Sequence, residues 1–239
     1  MSVVFLVRHA HASFLEADYD KLSKLGEEQA RLLGEYWVRH KIVFDRAGTG
    51  PRFRQRDTLS IARNACRKAG VTFPEPLVLP EFDEYQGEAV LERGLPGLLE
   101  TDQSIRDLHS AFQSSSSSAE RRAAFQGLFG AVVGKWVRGE ICPPSVETWL
   151  EFCSRVNSGL ATFLSAGNRG ERVALVTSGG PIAVAVQRAL QLSAETTLTV
   201  SWMSRNSSWS EFIYSRERFS LSSFNCHAHI GDAAMLTYR

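Results

Sequence analysis

The chain has 239 residues, of which 44% are hydrophobic and 22% charged, a composition that suits one large globular domain or two small ones. The formal net charge is only +1, so no global electrostatic field favours nucleic acid or an anionic membrane as a partner. No apolar stretch approaches the roughly 18 residues that a membrane-spanning helix needs. The four cysteines are scattered and include no CxxC pair, which argues against a zinc knuckle or a disulfide framework and leads us to expect a protein of the reducing cytoplasm.

The N-terminal part of the chain predicts alternating strands and helices. Residues 2–7 are apolar and β-branched, as in a buried parallel strand, and they run into a polar pair rather than the cleavage site of a signal peptide. The spacing over 25–37 indicates an amphipathic helix. A short strand is expected over 44–48 and a basic helix over 54–69, ending at Gly70. This alternation is typical of an α/β fold with a largely parallel sheet.

The middle of the chain has a different pattern. Residues 88–139 have helical periodicity apart from the serine run 114–118, which predicts a loop. We interpret this segment as a helical insertion that lies over the sheet within a single domain, 1–239, and not as a separate domain. A further amphipathic helix is expected over 146–166.

The C-terminal part returns to strand and helix alternation. RVALVT, 172–177, predicts a second buried strand, and 182–190 an apolar helix after a Gly-Gly-Pro turn. Three β-rich runs then lie between 196 and 224: TLTVSW, SEFIYS and RFSLSSF. Because β-branched and aromatic residues favour strands, we expect these runs to form edge strands or a hairpin.

Arg8 and His9 come directly after the first predicted strand. Ligands of open α/β sheets bind beyond the carboxyl ends of the strands. The planar guanidinium of Arg8 suits two phosphate oxygens, and a neutral His9 imidazole is able to attack phosphorus. The alternative is a strand end with two solvated polar residues, and the pair alone does not decide between the two.

Basic side chains also open the second predicted helix. Arg54 lies in GPRFRQRDTLSIA, where the helix N-terminus adds its own attraction for anions. Arg52 and Arg56 are its neighbours, and a solvated basic helix face is the alternative interpretation for at least one of the three. The segment therefore offers a second candidate phosphate ligand.

Carboxyl groups cluster in LPEFDEYQGE, after this helix. A carboxyl group at the rim of a pocket is able to protonate a leaving alkoxide if burial raises its pKa. The candidates are Glu81, Asp83, Glu84 and Glu88. Spacing alone does not choose among them.

Ser178 and Gly179 follow RVALVT and open the next predicted helix. Glycine there lets backbone N–H groups approach an anion, and the helix N-terminus contributes partial positive charge. An N-cap serine in a tight turn explains the same residues without any ligand.

Taken in order, these segments resemble the histidine phosphatase superfamily, in its phosphoglycerate-mutase-like branch. LVRHAHA is similar to the family's opening strand and Arg-His motif, with Ala10 where many members have Gly, and LSKLGEEQA is similar to the start of its first helix. GPRFRQRDTLSIA is similar to Ser-Pro-Leu-x-Arg-Ala-x-Gln-Thr-Ala, LPEFDEYQG to a Leu-x-Glu segment, and RVALVTSGG to a strand that ends in Val-Ser-His-Gly-Gly. SRNSSWSEF and SFNCHAHI resemble C-terminal Asn and Asn-x-x-x-His-Leu patterns. The likeness is loose over the helical insertion.

The resemblance implies a three-layer α/β sandwich, with a mostly parallel central sheet flanked by helices. It implies that His9 is the nucleophile, phosphorylated during turnover, and that Glu81 protonates the leaving alcohol. The residues that would bind the phosphoryl oxygens are Arg8, Arg54, Ser178 and Gly179.

The activity implied is that of a phosphomonoester hydrolase without a metal or an organic cofactor. Its partner would be a small phosphorylated substrate or inorganic phosphate, with no nucleic acid and no membrane involved; a homodimer is left open. The segment after RHAHA lacks the Trp-Asn stretch of glycolytic mutases, so we expect a phosphatase rather than a mutase.

Ser178 departs from the family pattern, because it stands where members have a second pocket histidine that binds phosphate. Serine donates one hydrogen bond but carries no charge, and loss of one such donor costs other enzymes roughly 10²- to 10³-fold in rate. Ser178 could support a slower phosphatase, or His11, His227 or His229 could fill the gap. A third alternative is a pseudoenzyme that binds phosphate esters without useful turnover.

A metal-dependent hydrolase is an alternative from another class. His9 and His11 share one face of a strand, and His227 and His229 repeat the spacing; such pairs are able to hold zinc or iron. Arg8 would place a cation beside the metal, which opposes this interpretation.

Overall fold

A computed structural model describes residues 1–12 and 20–238. The chain divides into two compact units: Met1–Glu84 together with Arg155–Arg239, and Tyr85–Ser154. The segment 13–19, which holds much of the sequence compared with the mutases, lies outside the described residues. Among the helices in the described ranges, none is both long and apolar enough to cross a membrane.

The sheet belongs to the first unit. Its strands are β1 Ser2–Arg8, β2 Arg46–Thr49, β3 Leu77–Val78, β4 Arg172–Thr177, β5 Trp209–Tyr214 and β6 Phe219–Cys226. Their order across the sheet is β3-β2-β4-β1-β5-β6. The pairs β3/β2, β2/β4 and β4/β1 are parallel, whereas β1/β5 and β5/β6 are antiparallel. The expected α/β fold with a mostly parallel sheet is confirmed.

The helices agree with the periodicity of the sequence, because those predicted over 25–37, 54–69, 146–166 and 182–190 all form. In chain order the helices are α1 Lys24–Arg39, α2 Phe53–Lys68, α3 Gly87–Thr101, α4 Gln103–Ser114, α5 Ser118–Val137, α6 Trp149–Ser165, α7 Gly179–Leu190 and α8 Ala194–Met203. A short 3₁₀ turn, Pro80–Phe82, follows β3.

Both faces of the sheet are buried. On one face, Phe5 of β1 packs in a core with Leu33 of α1 and Leu59 of α2. On the other face, Gly48 of β2 leaves room for Phe163 of α6, whose ring lies 3.0 Å from the position that a β-carbon at residue 48 would take. Burial on both faces explains why β1 and β4 are continuous apolar runs in the sequence.

The second unit is helical. Ser114 ends α4 and Ser118 begins α5, so the serine run joins two helices. Ser117 caps α5, because its hydroxyl accepts from the Glu120 N–H at 3.2 Å. Within the unit, α5 packs against both α3 and α4, and the buried Trp136 donates to a backbone carbonyl.

One predicted strand was wrong: TLTVSW forms part of α8, whereas SEFIYS and RFSLSSF form β5 and β6 as expected. The Ser193 hydroxyl caps α8 by accepting from the Thr196 N–H at 3.2 Å, and the Thr197 hydroxyl donates back to the Ser193 carbonyl at 2.7 Å. The helix packs against α7 and buries Leu198. A capped first turn and tertiary packing therefore outweigh the strand preference of β-branched residues.

Candidate active site

The ends of β1 and β4 bring His9 and Ser178 together. Arg8 pairs with Thr177 at the end of the parallel ladder, and the His9 N–H donates to the Thr177 carbonyl at 2.7 Å. His9 and Ser178 are the next residue on each strand, and both are buried. The topology thus places two residues that are far apart in sequence at one sheet edge.

The His9 ring has a defined orientation. Its Nδ1 lies 2.8 Å from the Ala10 carbonyl oxygen, and a carbonyl only accepts, so Nδ1 carries the proton and Nε2 the lone pair. Arg54 Nε donates to His9 Nε2 at 3.2 Å. The nitrogen that faces the guanidinium is therefore the one able to attack an electrophile.

The protonation of His9 follows from its surroundings. Burial lowers the pKa of His9 well below its ordinary value of 6.5, and the guanidinium groups of Arg54 and Arg8 lower it further, against a smaller opposing effect of the Ala10 carbonyl. The imidazole is therefore neutral near neutral pH, as nucleophilic attack requires.

The backbone around His9 is also held. Its carbonyl accepts from Asn206 Nδ2 and from the Ser207 N–H, each at 3.2 Å. The Ala10 N–H donates to the Thr58 hydroxyl at 2.9 Å, and this hydroxyl donates to the Arg54 carbonyl at 2.7 Å. The sequence did not predict Asn206 or Thr58 as neighbours of His9. The segment SRNSSWSEF, which contains Asn206, was noted only for its resemblance to a family pattern.

Arg54 is buried against His9 and does not lie on a solvated helix face. Its Nη1 lies 2.9 Å from Asp20 Oδ1, and Asp20 Oδ2 accepts from the Phe53 N–H at 2.8 Å. Asp20 thus caps α2 and holds the guanidinium that contacts His9. The two neighbouring arginines differ, because Arg52 pairs with Asp83 and the Arg56 side chain is exposed.

Arg8 and Gly179 lie close together beside α8. Arg8 is buried, and its Nη1 donates to the Ser204 carbonyl. A β-carbon at Gly179 would lie 2.7 Å from the Ser201 carbonyl oxygen and 3.9 Å from Arg8 Nε. Only glycine lets the start of α7 approach α8 this closely.

The carboxyl groups separate by position. The Glu81 side chain lies against α6. A β-carbon added at Gly159 of that helix would lie 2.5 Å from the Glu81 β-carbon. Glu84 Oε2 instead accepts from the Gly180 N–H at 3.1 Å, in the first turn of α7. Asp83 is paired with Arg52, as described above. Of these carboxylates, the one seen at the start of α7 is that of Glu84.

Ser178 occupies the N-cap position of α7 but does not cap it through its side chain. Its hydroxyl oxygen accepts from Gln55 Nε2 at 2.8 Å. The N-cap interpretation therefore does not account for the Ser178 hydroxyl. Gln55 was missed by sequence reasoning, because a glutamine on a basic helix carries no sign of its partner.

The other candidate histidines have different partners. His11 Nδ1 lies 2.8 Å from the Ser23 hydroxyl, and His229 Nε2 lies 2.8 Å from the Ser207 hydroxyl. His227 contacts a guanidinium nitrogen at 3.2 Å. Within 1–12 and 20–238, His, Cys, Asp and Glu side chains form no group of three or more that could hold a metal ion.

The profile of the histidine phosphatase superfamily (branch 1) matches residues 92–227, more than half of the chain, including Ser178 and Gly179. No curated protein sequence gives a match.

Solved structures share the fold at low identity. A phosphoserine phosphatase mutant from Entamoeba histolytica, in complex with phosphoserine, is 18% identical with a TM-score of 0.62, and the match covers 96% of this chain and 100% of that one. The alpha-ribazole phosphatase from Shigella flexneri is 17% identical with a TM-score of 0.61, over 94% and 96% of the two chains. A phosphoglycerate mutase from Bacillus anthracis is 15% identical with a TM-score of 0.61, over 95% and 94%. The profile match and the shared fold together show that this chain belongs to the histidine phosphatase superfamily, branch 1.

Proposed function

We propose that this chain is a phosphomonoester hydrolase that acts through a phosphohistidine formed on His9. The observation that carries the proposal is the buried, neutral imidazole, whose Nε2 faces Arg54 and lies at the sheet edge beside Arg8. Two guanidinium groups around a neutral nucleophile suit the transfer of an anionic phosphoryl group, because they offset its charge without protonating the nucleophile.

The proposed reaction has two displacements. His9 Nε2 attacks phosphorus, the ester P–O bond breaks, and a carboxyl group gives its proton to the leaving alkoxide. Water then attacks the phosphohistidine and passes a proton to the carboxylate, and the N–P bond breaks to release inorganic phosphate and free His9. The oxygens would be held by Arg8, Arg54, Ser178 and the backbone at Gly179, and neither a metal nor an organic cofactor takes part.

Two glutamates compete for the role of proton donor. The resemblance favours Glu81, whereas the geometry supports Glu84, whose carboxylate is at the start of α7 next to Ser178. A phosphate would also bind at this helix N-terminus, which would place the Glu84 carboxyl group near the leaving oxygen, whereas the Gly180 N–H favours its ionised form.

The substrate class is proposed to be small phosphorylated molecules. The structural relatives are named for phosphoserine and alpha-ribazole phosphatase activities and for phosphoglycerate mutase activity, which supports this class without choosing a member. The alternative is a pseudoenzyme that binds phosphate esters without turnover, and it is supported by the serine at position 178.

The first test is hydrolysis of an aryl phosphate between pH 5 and pH 8 by the unaltered protein and by His9→Ala. We expect activity that is lost in His9→Ala, and an acid-labile phosphoenzyme that forms only when His9 is present. His227→Ala is the matched control, because this histidine is engaged with Arg205. Phosphate binding without any phosphoenzyme or turnover would favour the pseudoenzyme.

The proton donor is identified by leaving-group dependence. The aryloxide of an aryl phosphate leaves readily without protonation, whereas the alkoxide of an alkyl phosphate such as phosphoserine needs a proton from an acid. We expect Glu84→Gln to lower kcat for the alkyl ester by about 10²- to 10⁴-fold and to affect the aryl ester much less. If Glu81→Gln shows this selective loss and Glu84→Gln does not, Glu81 is the donor.

A further inference from the structure

Gln55 is a buried residue of α2 whose amide orientation is defined by its partners. Its Oε1 accepts from the Arg52 N–H at 3.1 Å, and its Nε2 lies 3.3 Å from the Phe82 carbonyl oxygen and 2.8 Å from the Ser178 hydroxyl. A backbone N–H only donates and a carbonyl only accepts. The amide nitrogen is therefore the atom that faces Ser178, and it donates to the Ser178 oxygen.

This contact determines what the Ser178 hydroxyl is able to do. A hydroxyl has two acceptor lone pairs and one proton, and Gln55 uses a lone pair. Capping of α7 would use a lone pair of the hydroxyl and not its proton, and the Gly180 N–H is already bound by Glu84 while Pro181 has no N–H. Within the described part of the chain this buried hydroxyl makes no second hydrogen bond, so its proton is not taken up by another protein group.

We infer that Gln55 is a positioning residue that holds the Ser178 hydroxyl as a hydrogen-bond donor to the phosphoryl group, and that the two side chains together occupy the place of the second pocket histidine. The inference rests on the proposed function, since it names a part of the same site. It gives the site a neutral donor where the family pattern has an imidazole.

The packing around Gln55 supports this exchange of one imidazole for two smaller side chains. A β-carbon at Gly50 would collide with Gln55 Oε1 and would lie 2.7 Å from the Phe82 carbonyl oxygen. The amide is therefore enclosed by backbone, and its nitrogen fills the space in front of Ser178. The family segment quoted above has alanine directly after its arginine, where this chain has Gln55.

The contact between Gln55 and Ser178 predicts that Gln55→Ala has opposite effects on activity in two backgrounds. An imidazole is longer than a hydroxymethyl group, so Ser178→His needs the space that Gln55 fills. We expect Gln55→Ala to lower activity about 10-fold in the unaltered protein, because the Ser178 hydroxyl would lose the orientation that lets it donate to the charged phosphoryl group. In the Ser178→His background the same substitution should raise activity, because it makes room for the ring.

The experiment compares the unaltered protein, Gln55→Ala, Ser178→His and the double variant. The measurements are kcat/KM on an aryl phosphate, the affinity for inorganic phosphate by calorimetry, and the melting temperature. The inference predicts that Gln55→Ala changes both functional quantities in opposite directions in the two backgrounds. Equal losses in both backgrounds would overturn it, because that result describes a residue that only stabilises the fold.

A second cycle covers the case in which Ser178→His does not fold. Gln55→Met and Ser178→Ala each remove the donated hydrogen bond without adding bulk at residue 178. We expect each to weaken phosphate affinity roughly 10-fold and the double variant to be no weaker than Ser178→Ala alone. Additive losses would contradict the inference. If the unaltered protein binds phosphate but does not hydrolyse esters, the proposed function fails while the phosphate affinities still decide the role of Gln55.

Discussion

At the scale of single residues, Arg54 connects the fold to the chemistry. The side chain is buried in the first turn of α2, its guanidinium lies 2.9 Å from Asp20, and its Nε donates to His9 Nε2. After burial, its charge is the next largest cause of the lowered pKa of His9, and in the proposed reaction it would also offer a planar donor to the phosphoryl group. A lysine would supply the charge but neither the Nε contact nor the fork.

We therefore expect Arg54→Lys to lower kcat/KM on an aryl phosphate by about 10²-fold, since it removes preorganised donors at the site of charge development. Arg56→Lys is the matched control on the same helix, with an exposed side chain, and should leave kcat/KM within twofold. An equal loss in both variants would mean that the basic helix acts only through its overall charge.

At the scale of elements, the site depends on how closely α7 approaches α8. Gly179 begins α7, and the Ser201 carbonyl of α8 occupies the space that a side chain at residue 179 would need. The same helix start holds Ser178 and the N–H group bound by Glu84. A displacement of α7 would therefore move several ligands of the proposed phosphate site at once.

Gly179→Ala should destabilise the protein by about 1–3 kcal/mol, because an added methyl group in a packed interior forces backbone to move. It should also weaken phosphate affinity. Gly97→Ala is the control: Gly97 lies inside α3, and a β-carbon added there would have nothing within 4 Å, so alanine should stabilise by roughly 0.5–1 kcal/mol. Chemical denaturation measures the stability and calorimetry the phosphate affinity. If Gly179→Ala changes neither quantity, α7 and α8 are able to move apart at little cost.

At the scale of the whole molecule, two buried histidines link folding to pH. Burial lowers the pKa of His229 to about 3, with a smaller contribution from His227, and burial with two guanidiniums lowers that of His9. In the unfolded chain a histidine titrates near 6.5. Between about pH 6.5 and 3 the unfolded state therefore binds protons that the folded state excludes, and stability falls as pH falls.

We expect the free energy of unfolding to decrease from pH 7 to pH 4, by up to about 1.4 kcal/mol per pH unit for each such histidine. His229→Gln keeps a polar contact for Ser207 but does not titrate, so the slope should become shallower even if the variant is less stable overall. His40→Gln, at an exposed position, is the control for a histidine-to-glutamine substitution outside the core. Urea unfolding at several pH values measures these slopes. An unaltered slope in His229→Gln would contradict the claim that His229 contributes to the pH dependence of stability.

The sequence by itself determined the elements whose burial pattern is local. The apolar runs of β1 and β4 and the 3.6-residue periodicity of α1, α2 and α7 record which faces are buried, so those elements and the α/β class were predictable. The Arg-His pair at the end of β1 was equally readable, because parallel strands present their carboxyl ends at one edge.

The tertiary structure alone decided the rest, because it depended on contacts between distant residues. Glu84 meets Gly180 across 96 positions, and Gln55 meets Ser178 across 123. No local pattern records such partners, so spacing could neither rank the clustered carboxyl groups nor reveal Gln55. The same reason applies to α8, where packing against α7 and a serine cap turned a β-branched run into a helix. Local patterning specifies which faces are buried, whereas the identity of each buried partner follows only from the folded chain.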